Sequence, residues 1–129
     1  MKPKKILRFY FGADSLNRAF DNLITVNAFD FGSNTFKTAE RLCSVIGEKM
    51  GLERLWSYLD GVLATFSETE REVLSDYALR RTPLKESERK PIKRAVIKFT
   101  RRARRLGEFD GDVAILKKYF NLIGTERKD

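Results

Sequence analysis

The chain has 129 residues, of which 42% are hydrophobic and 34% charged, with ten Phe, four Tyr and one Trp. That length suits one domain with a single core, and that apolar content is too rich for a disordered chain. The net charge of +8 and pI near 9.8 suit an anionic partner, and a single cysteine, Cys43, excludes an intrachain disulfide.

A lone cysteine fits a reducing compartment. No uninterrupted apolar run approaches the roughly 18 to 20 residues needed to span a bilayer. The basic N-terminus is followed by Ile6–Phe11, which is too short, and too interrupted by Arg8, for the apolar core of a signal peptide. The expectation is a soluble, cytoplasmic protein. With three prolines and no Ser/Gly-rich stretch, residues 1–129 read as one helical domain without an internal linker.

Residues 1–13 read as an extended arm. Ile6–Phe11 is dense in aromatic and β-branched residues and stops at Gly12. A strand there needs an edge, and the candidates are Ala28–Phe31 or a second copy of the chain, which would make a homodimer through this segment. A first helix follows, capped at Asp14 or Ser15, with Leu16, Ala19, Phe20, Leu23, Ile24 and Asn27 at helical spacing. Phe29–Asn34 breaks it. A second helix spans about Thr35–Met50, striped by Phe36, Ala39, Leu42, Cys43, Ile46 and Met50, with Gly51 as its stop. A third carries Leu52, Leu55, Trp56, Leu59, Val62, Leu63 and Phe66 in steps of three and four.

Ser67-Glu68-Thr69-Glu70 has the form of a capping box, in which Ser67 and Glu70 each satisfy the other's backbone N–H. It opens a fourth helix to about Arg81 with Val73, Leu74, Tyr77 and Ala78 inward. Thr82-Pro83 interrupts. Ser87 restarts a fifth helix that tolerates Pro91 in or near its first turn and ends at Gly107, with Ile92, Ala95, Val96, Phe99, Ala103 and Leu106 as its apolar seam. Asp110 caps a sixth helix with Val113, Leu116, Phe120 and Ile123 inward, terminated at Gly124, and residues 125–129 form a frayed tail. The fold expected is an all-α, single-domain bundle of five or six helices with a short extended N-terminal segment.

Little here asks for chemistry. With no histidine the commonest general base and metal ligand is missing, and one cysteine cannot build a thiolate zinc site. Cys43, on an apolar stripe, reads as a small buried hydrophobe. No Gly-rich phosphate loop occurs. The carboxylate pairs Glu68/Glu72 and Asp110/Asp112 sit at helix starts, where the helix dipole already favours negative charge. No catalytic residue, cofactor or metal is assigned.

The charge is where the information lies. Between Arg80 and Arg105 there are twelve basic residues and two acidic ones, a local +10, so the remaining 14 basic and 16 acidic residues sum to −2. On the fifth helix (88–106) Arg94, Lys98, Arg101 and Arg105 follow at steps of four, three and four. Lys90, Arg102 and Arg104 broaden that stripe, and Arg80, Arg81 and Lys85 stand at its base. Such a row matches the phosphates of DNA or RNA, with Arg94, Lys98, Arg101, Arg102 and Arg105 as the contacts. Two other readings stay open. The stripe is balanced within the fold by acids such as Glu53, Asp60, Glu68, Glu70, Glu72 and Asp76, or it docks an acidic protein surface or anionic lipid. Phe9, Tyr10 and Phe11 beside Arg8 have the mix of a single-strand stacking platform, yet next to a bundle such residues more often fill a core or a dimer seam.

Phe66-Ser67-Glu68-Thr69-Glu70-Arg71-Glu72-Val73-Leu74 resembles the opening of the C-terminal promoter-reading region of bacterial sigma factors, extending to Tyr77 and Leu79. Only Thr82–Glu88 separates the fourth helix from the basic one, which leaves no room for that family's full helix-turn-helix, so none of its base-reading residues carries over. The resemblance implies a transcription context. The chain as a whole is similar to small proteins of Firmicute bacteria. The function expected is a non-enzymatic, nucleic-acid-binding or transcription-related regulatory protein, the alternative being a helical interaction module with its basic face on an acidic partner.

Overall fold

The computed structural model describes residues 1–29, 35–80 and 84–120, and their side chains except at 26–29 and 35–38. Of the break expected at Phe29–Asn34, Phe29 is still helical, and Asp30–Asn34, like Thr82-Pro83, lie outside the described residues. So do the strand edge at Ala28–Phe31, the inward Asn27 and Phe36 side chains, Arg81, Ile123, Gly124 and the tail 125–129.

Six α-helices and one 3₁₀ helix occupy the described residues, with no strand among them: α1 (Pro3–Phe11), α2 (Ala13–Phe29), α3 (Thr35–Leu63), α4 (Glu68–Leu79), α5 (Glu86–Arg102), the 3₁₀ helix Arg104–Phe109, and α6 (Asp110–Tyr119). The all-α bundle expected from the sequence is what forms. It is organised around α3. Helices α2 and α6 lie along α3, α1 packs chiefly on α4, and α5 lies on α4 while also touching α3. Every α-helix sends a fully buried side chain inward: Leu7, Leu16, Leu59, Leu74, Phe99 and Leu116 are each at most 2% exposed. Burying a side chain of that kind contributes about 1.5–3 kcal/mol.

The N-terminal arm is not extended. Pro3, whose fixed φ suits the first helical turn and whose missing N–H costs nothing there, starts α1 after Lys2, and the chain stays helical to Phe11. Gly12 closes it by donating to the Arg8 carbonyl at 2.9 Å. Tertiary packing overrides the strand propensity of Ile6–Phe11. As a helix the segment buries Ile6, Leu7 and Phe9 while leaving Lys4 and Lys5 exposed. Tyr10 stacks on Trp56 at 5.0 Å, and the Trp56 indole donates to the Tyr10 carbonyl at 3.1 Å. Of the aromatic cluster, Phe9 is buried in the core, while Tyr10 and Phe11 are half-buried. Trp56 itself is half-buried at the rim of the core.

Gly51 does not stop a helix. The expected second and third helices are one continuous α3 of 29 residues. Gly51 is buried because α6 crosses there: a Cβ on it would stand 2.7 Å from Asp112 Oδ1 and 3.0 Å from Ile115 Cδ1. Continuity resets the phase of the first half. Val45 is buried, whereas Cys43, Ile46 and Met50, expected inside, are exposed, Met50 at 53%. Leu23 of α2 is also outward, at 37%.

The capping box forms as expected. Ser67 N donates to Glu70 Oε1 at 2.9 Å and Glu70 N to Ser67 Oγ at 3.1 Å. Helix α4 ends at Leu79. Helix α5 begins at Glu86 rather than Ser87, because Glu88 takes the N–H of Lys85 at 2.9 Å, and Pro91 falls inside it. It ends at Arg102, not Gly107, and tightens into the 3₁₀ helix, where Leu106 N donates to the Ala103 carbonyl at 3.0 Å. Asp110 is the first residue of α6, with Phe109 in the cap position.

Candidate nucleic-acid interface

The orientation of α5 follows from what it buries. Ile92, Ala95, Phe99 and Ala103 face the bundle, with Phe99 2% exposed. At about 100° per residue, the side opposite Phe99 carries Lys90, Lys93, Arg94, Ile97 and Arg101. All five are exposed. The solvent face is thus rotated relative to the stripe drawn through Arg94, Lys98, Arg101 and Arg105.

That rotation divides the five expected contact residues. Arg94 and Arg101 stand on the outer face, and neither has a carboxylate partner among the described residues. Lys98 turns to α4, where its ammonium donates to both oxygens of Glu70 at 2.8 Å and lies 4.7 Å from the centre of the Phe66 ring. Arg105 is beyond the end of α5, and its guanidinium grips Glu108 through Nε and Nη2 at 3.0 and 2.9 Å. Arg102 is exposed but anchored: Nη1 donates to the carbonyl and the hydroxyl of Thr65 at 3.0 and 2.7 Å. It shares a recess against α3 with Arg101 and Arg104.

Arg80, read as the base of the stripe, is neutralised more thoroughly. Only 18% exposed, it donates to both oxygens of Glu88 at 2.6 and 2.7 Å and to Asp76 at 2.6 Å. Part of the basic segment therefore holds the bundle together, as the charge-balance reading anticipated, with Glu70 and Asp76 among its acids. Carboxylate titration carries the imprint. Hydrogen bonding from Lys98, then from the Ser67 backbone, pulls Glu70 down to about 2. Arg80, then the Lys85 backbone, does the same to Glu88, also to about 2. Glu108 is lowered by Arg105.

Lys90, Lys93, Arg94, Arg101 and Arg104 remain exposed and without an acidic partner among the described residues. Lys90 to Arg101 spans about 16 Å at 1.5 Å rise per residue, longer than the roughly 12 Å width of a duplex major groove. Ile97, 41% exposed, sits in the middle of this row. Sequence reasoning passed over Lys93 and Ile97. Their signal was the position opposite Phe99, once Phe99 is taken as the centre of the buried seam.

Elsewhere, no helix among the described residues is long and apolar enough to cross a membrane, and no three His, Cys, Asp or Glu side chains among them converge as a metal site. Tyr10 donates to Asp60 at 2.6 Å, and burial, then that hydrogen bond, pushes its phenol up to about 12. No protein-family model, curated protein or solved structure matches the chain.

Proposed function

We propose that this is a non-enzymatic nucleic-acid-binding protein that places the outer face of α5 against a phosphate backbone, in a transcription-related regulatory setting. One observation carries the reading. After Lys98, Arg105 and Arg80 are committed to Glu70, Glu108 and Glu88, a continuous exposed row of Lys90, Lys93, Arg94 and Arg101 is left without carboxylates. An internal charge-balancing role explains the committed cations and leaves the outer row unexplained. Release of counterions from phosphates supplies a driving force for that row. The transcription setting rests on the resemblance of Phe66–Leu74 to the sigma-factor segment.

A second reading has its own support. Ile97, apolar and exposed amid cations, has the form of an interface centre with a charged rim, which suits an acidic helical protein.

The test is fluorescence anisotropy with duplex DNA, structured RNA and single strands at about 50 mM salt and micromolar protein, where nonspecific binders are detectable. A Lys90/Lys93/Arg94/Arg101→Gln variant should weaken binding to every sequence alike and keep the parent's unfolding midpoint. If the parent binds no nucleic acid under these conditions, the reading fails and the protein-docking alternative takes its place.

A further inference from the structure

The basic row of α5 does not end on open surface. Its last turn and the start of the 3₁₀ helix bring Arg101, Arg102 and Arg104 to one side of a recess of about 600 Å³. The other side is the C-terminal part of α3, from Ser57 and Tyr58 to Val62, with Thr65 just beyond its end. None of the lining residues is acidic. Building on the nucleic-acid reading, we infer that this recess seats the terminal phosphate monoester of a bound strand.

Three features support it. First, the cations are arranged for an anion. Arg102 is held by Thr65 through Nη1 and lies 5.5 Å from the centre of the Phe66 ring, so its orientation is set while Nε and Nη2 have no hydrogen-bond acceptor among the described residues. A fixed guanidinium with free donors suits a phosphate better than a mobile ammonium does. Arg101 and Arg104 supply two further guanidinium groups that no carboxylate occupies among the described residues. The C-terminal carbonyls of α3 bring negative potential to this place, and Arg102 on the Thr65 carbonyl offsets it.

Second, Gly61 is an exposed glycine within α3, and a Cβ on it would have nothing within 4 Å. Unlike Gly51, it is not needed for close packing. A glycine within a helix is less favourable than alanine, and its effect here is to leave the recess open. Third, the wall is braced by contacts on Tyr58. Tyr58 stacks on Phe109 at 4.7 Å, and its hydroxyl accepts the Arg105 N–H at 3.1 Å, with its own proton left to donate.

Shape separates the recess from the ridge. A ridge follows a continuous backbone, whose phosphodiesters carry one negative charge each. A three-arginine recess at the ridge's end suits a dianionic terminal phosphate, which offers more charge and more acceptor oxygens.

The experiment compares one single-stranded oligonucleotide in three forms: 5′-phosphorylated, 3′-phosphorylated and with both ends as hydroxyls. Binding is measured by intrinsic tryptophan fluorescence or calorimetry for the parent, Gly61→Leu and Arg104→Gln. Vesicles containing phosphatidic acid are run in parallel as a second source of the same group. The parent should prefer one phosphorylated end by about tenfold, the scale of one hydrogen bond to a charged group. Gly61→Leu, which fills the recess with a good helix former, should abolish that preference and leave binding of the hydroxyl form unchanged, and Arg104→Gln should abolish it while weakening the hydroxyl form no more than loss of any single cation does. Equal affinity for all three forms overturns the inference while leaving the α5 reading intact, as does a preference that survives Gly61→Leu. Loss of all oligonucleotide binding by the parent overturns both. Binding confined to the vesicles puts the phosphate monoester on a lipid and overturns the nucleic-acid occupant.

Discussion

The three glycines of α3 should respond to the same substitution with opposite signs. At Gly47 and Gly61 a new Cβ meets nothing within 4 Å. Alanine there only restricts the unfolded chain and improves helix propensity, so each change should stabilise by about 0.5–1 kcal/mol. At Gly51 the new Cβ would meet Asp112 Oδ1 at 2.7 Å, Ile115 Cδ1 at 3.0 Å and Arg54 Nη2 at 3.4 Å. Ile115 can swing its terminal methyl away. Asp112 is short, 9% exposed and bonded to Arg54 at 3.2 Å, so it moves only with that pair or with α6. Overpacking of this kind costs about 1–3 kcal/mol, which exceeds the propensity gain. Gly51→Ala should therefore lie about 2 kcal/mol below Gly47→Ala, taking the middle of both ranges. Urea titration followed by circular dichroism at 222 nm reads both midpoints. If Gly51→Ala stabilises as much as Gly47→Ala, α6 does not cross α3 where described.

Other predictions follow from the polar contacts. Ser67→Ala should cost about 1 kcal/mol and Ser67→Gly only a few tenths, measured in the same titration, and two neutral results would place the start of α4 elsewhere. Glu70 and Glu88 have folded values near 2 against an ordinary 4.5, so folding favours their charged forms. Their contribution is full above about 4.5 and disappears as pH falls through about 2. A Glu70/Glu88→Gln pair should flatten the stability–pH curve in that window, and an unchanged slope would contradict the ion pairs with Lys98 and Arg80. Tyr10, raised from 10.0 to about 12, holds its proton more tightly when folded, so its contribution is present below pH 10 and lost as pH rises through 12. Ultraviolet titration of Tyr10→Phe against the parent should remove the highest-pH tyrosine transition.

Where local chemistry decides structure, the sequence was legible. The Ser67/Glu70 box needs only neighbours three residues apart, and its bonds form as drawn. The seam of α5 was legible because Ile92, Ala95, Phe99 and Ala103 repeat without an interrupting glycine. Legibility failed where distant packing decides. Ile6–Phe11 has strand-like composition, and only the aliphatic surfaces of α3 and α4 make a helix the better burial. Gly51 looked like a stop because a glycine opened by α6 and a glycine ending a helix are the same residue in sequence. Treating it as a stop broke the phase: stepping back seven from Leu52 reaches Val45, which is buried, while Cys43, Ile46 and Met50 belong to the restarted phase and face outward. For the site, spacing alone found a row of cations. It could not find that Lys98 and Arg105 are taken by Glu70 and Glu108, because those pairings depend on how α5 is rotated and where it ends.

The central claim is that the free face of α5 neutralises phosphates. Its most direct measurement is the slope of log binding constant against log salt for the parent and for Lys90/Lys93/Arg94/Arg101→Gln. Four contacts at about 0.9 each give a slope near −3.6 on duplex DNA, or about −2.8 on a single strand. The variant should lose most of that slope while its urea midpoint stays at the parent's value. A parent slope near zero, or a variant that keeps the parent's slope, would contradict the account.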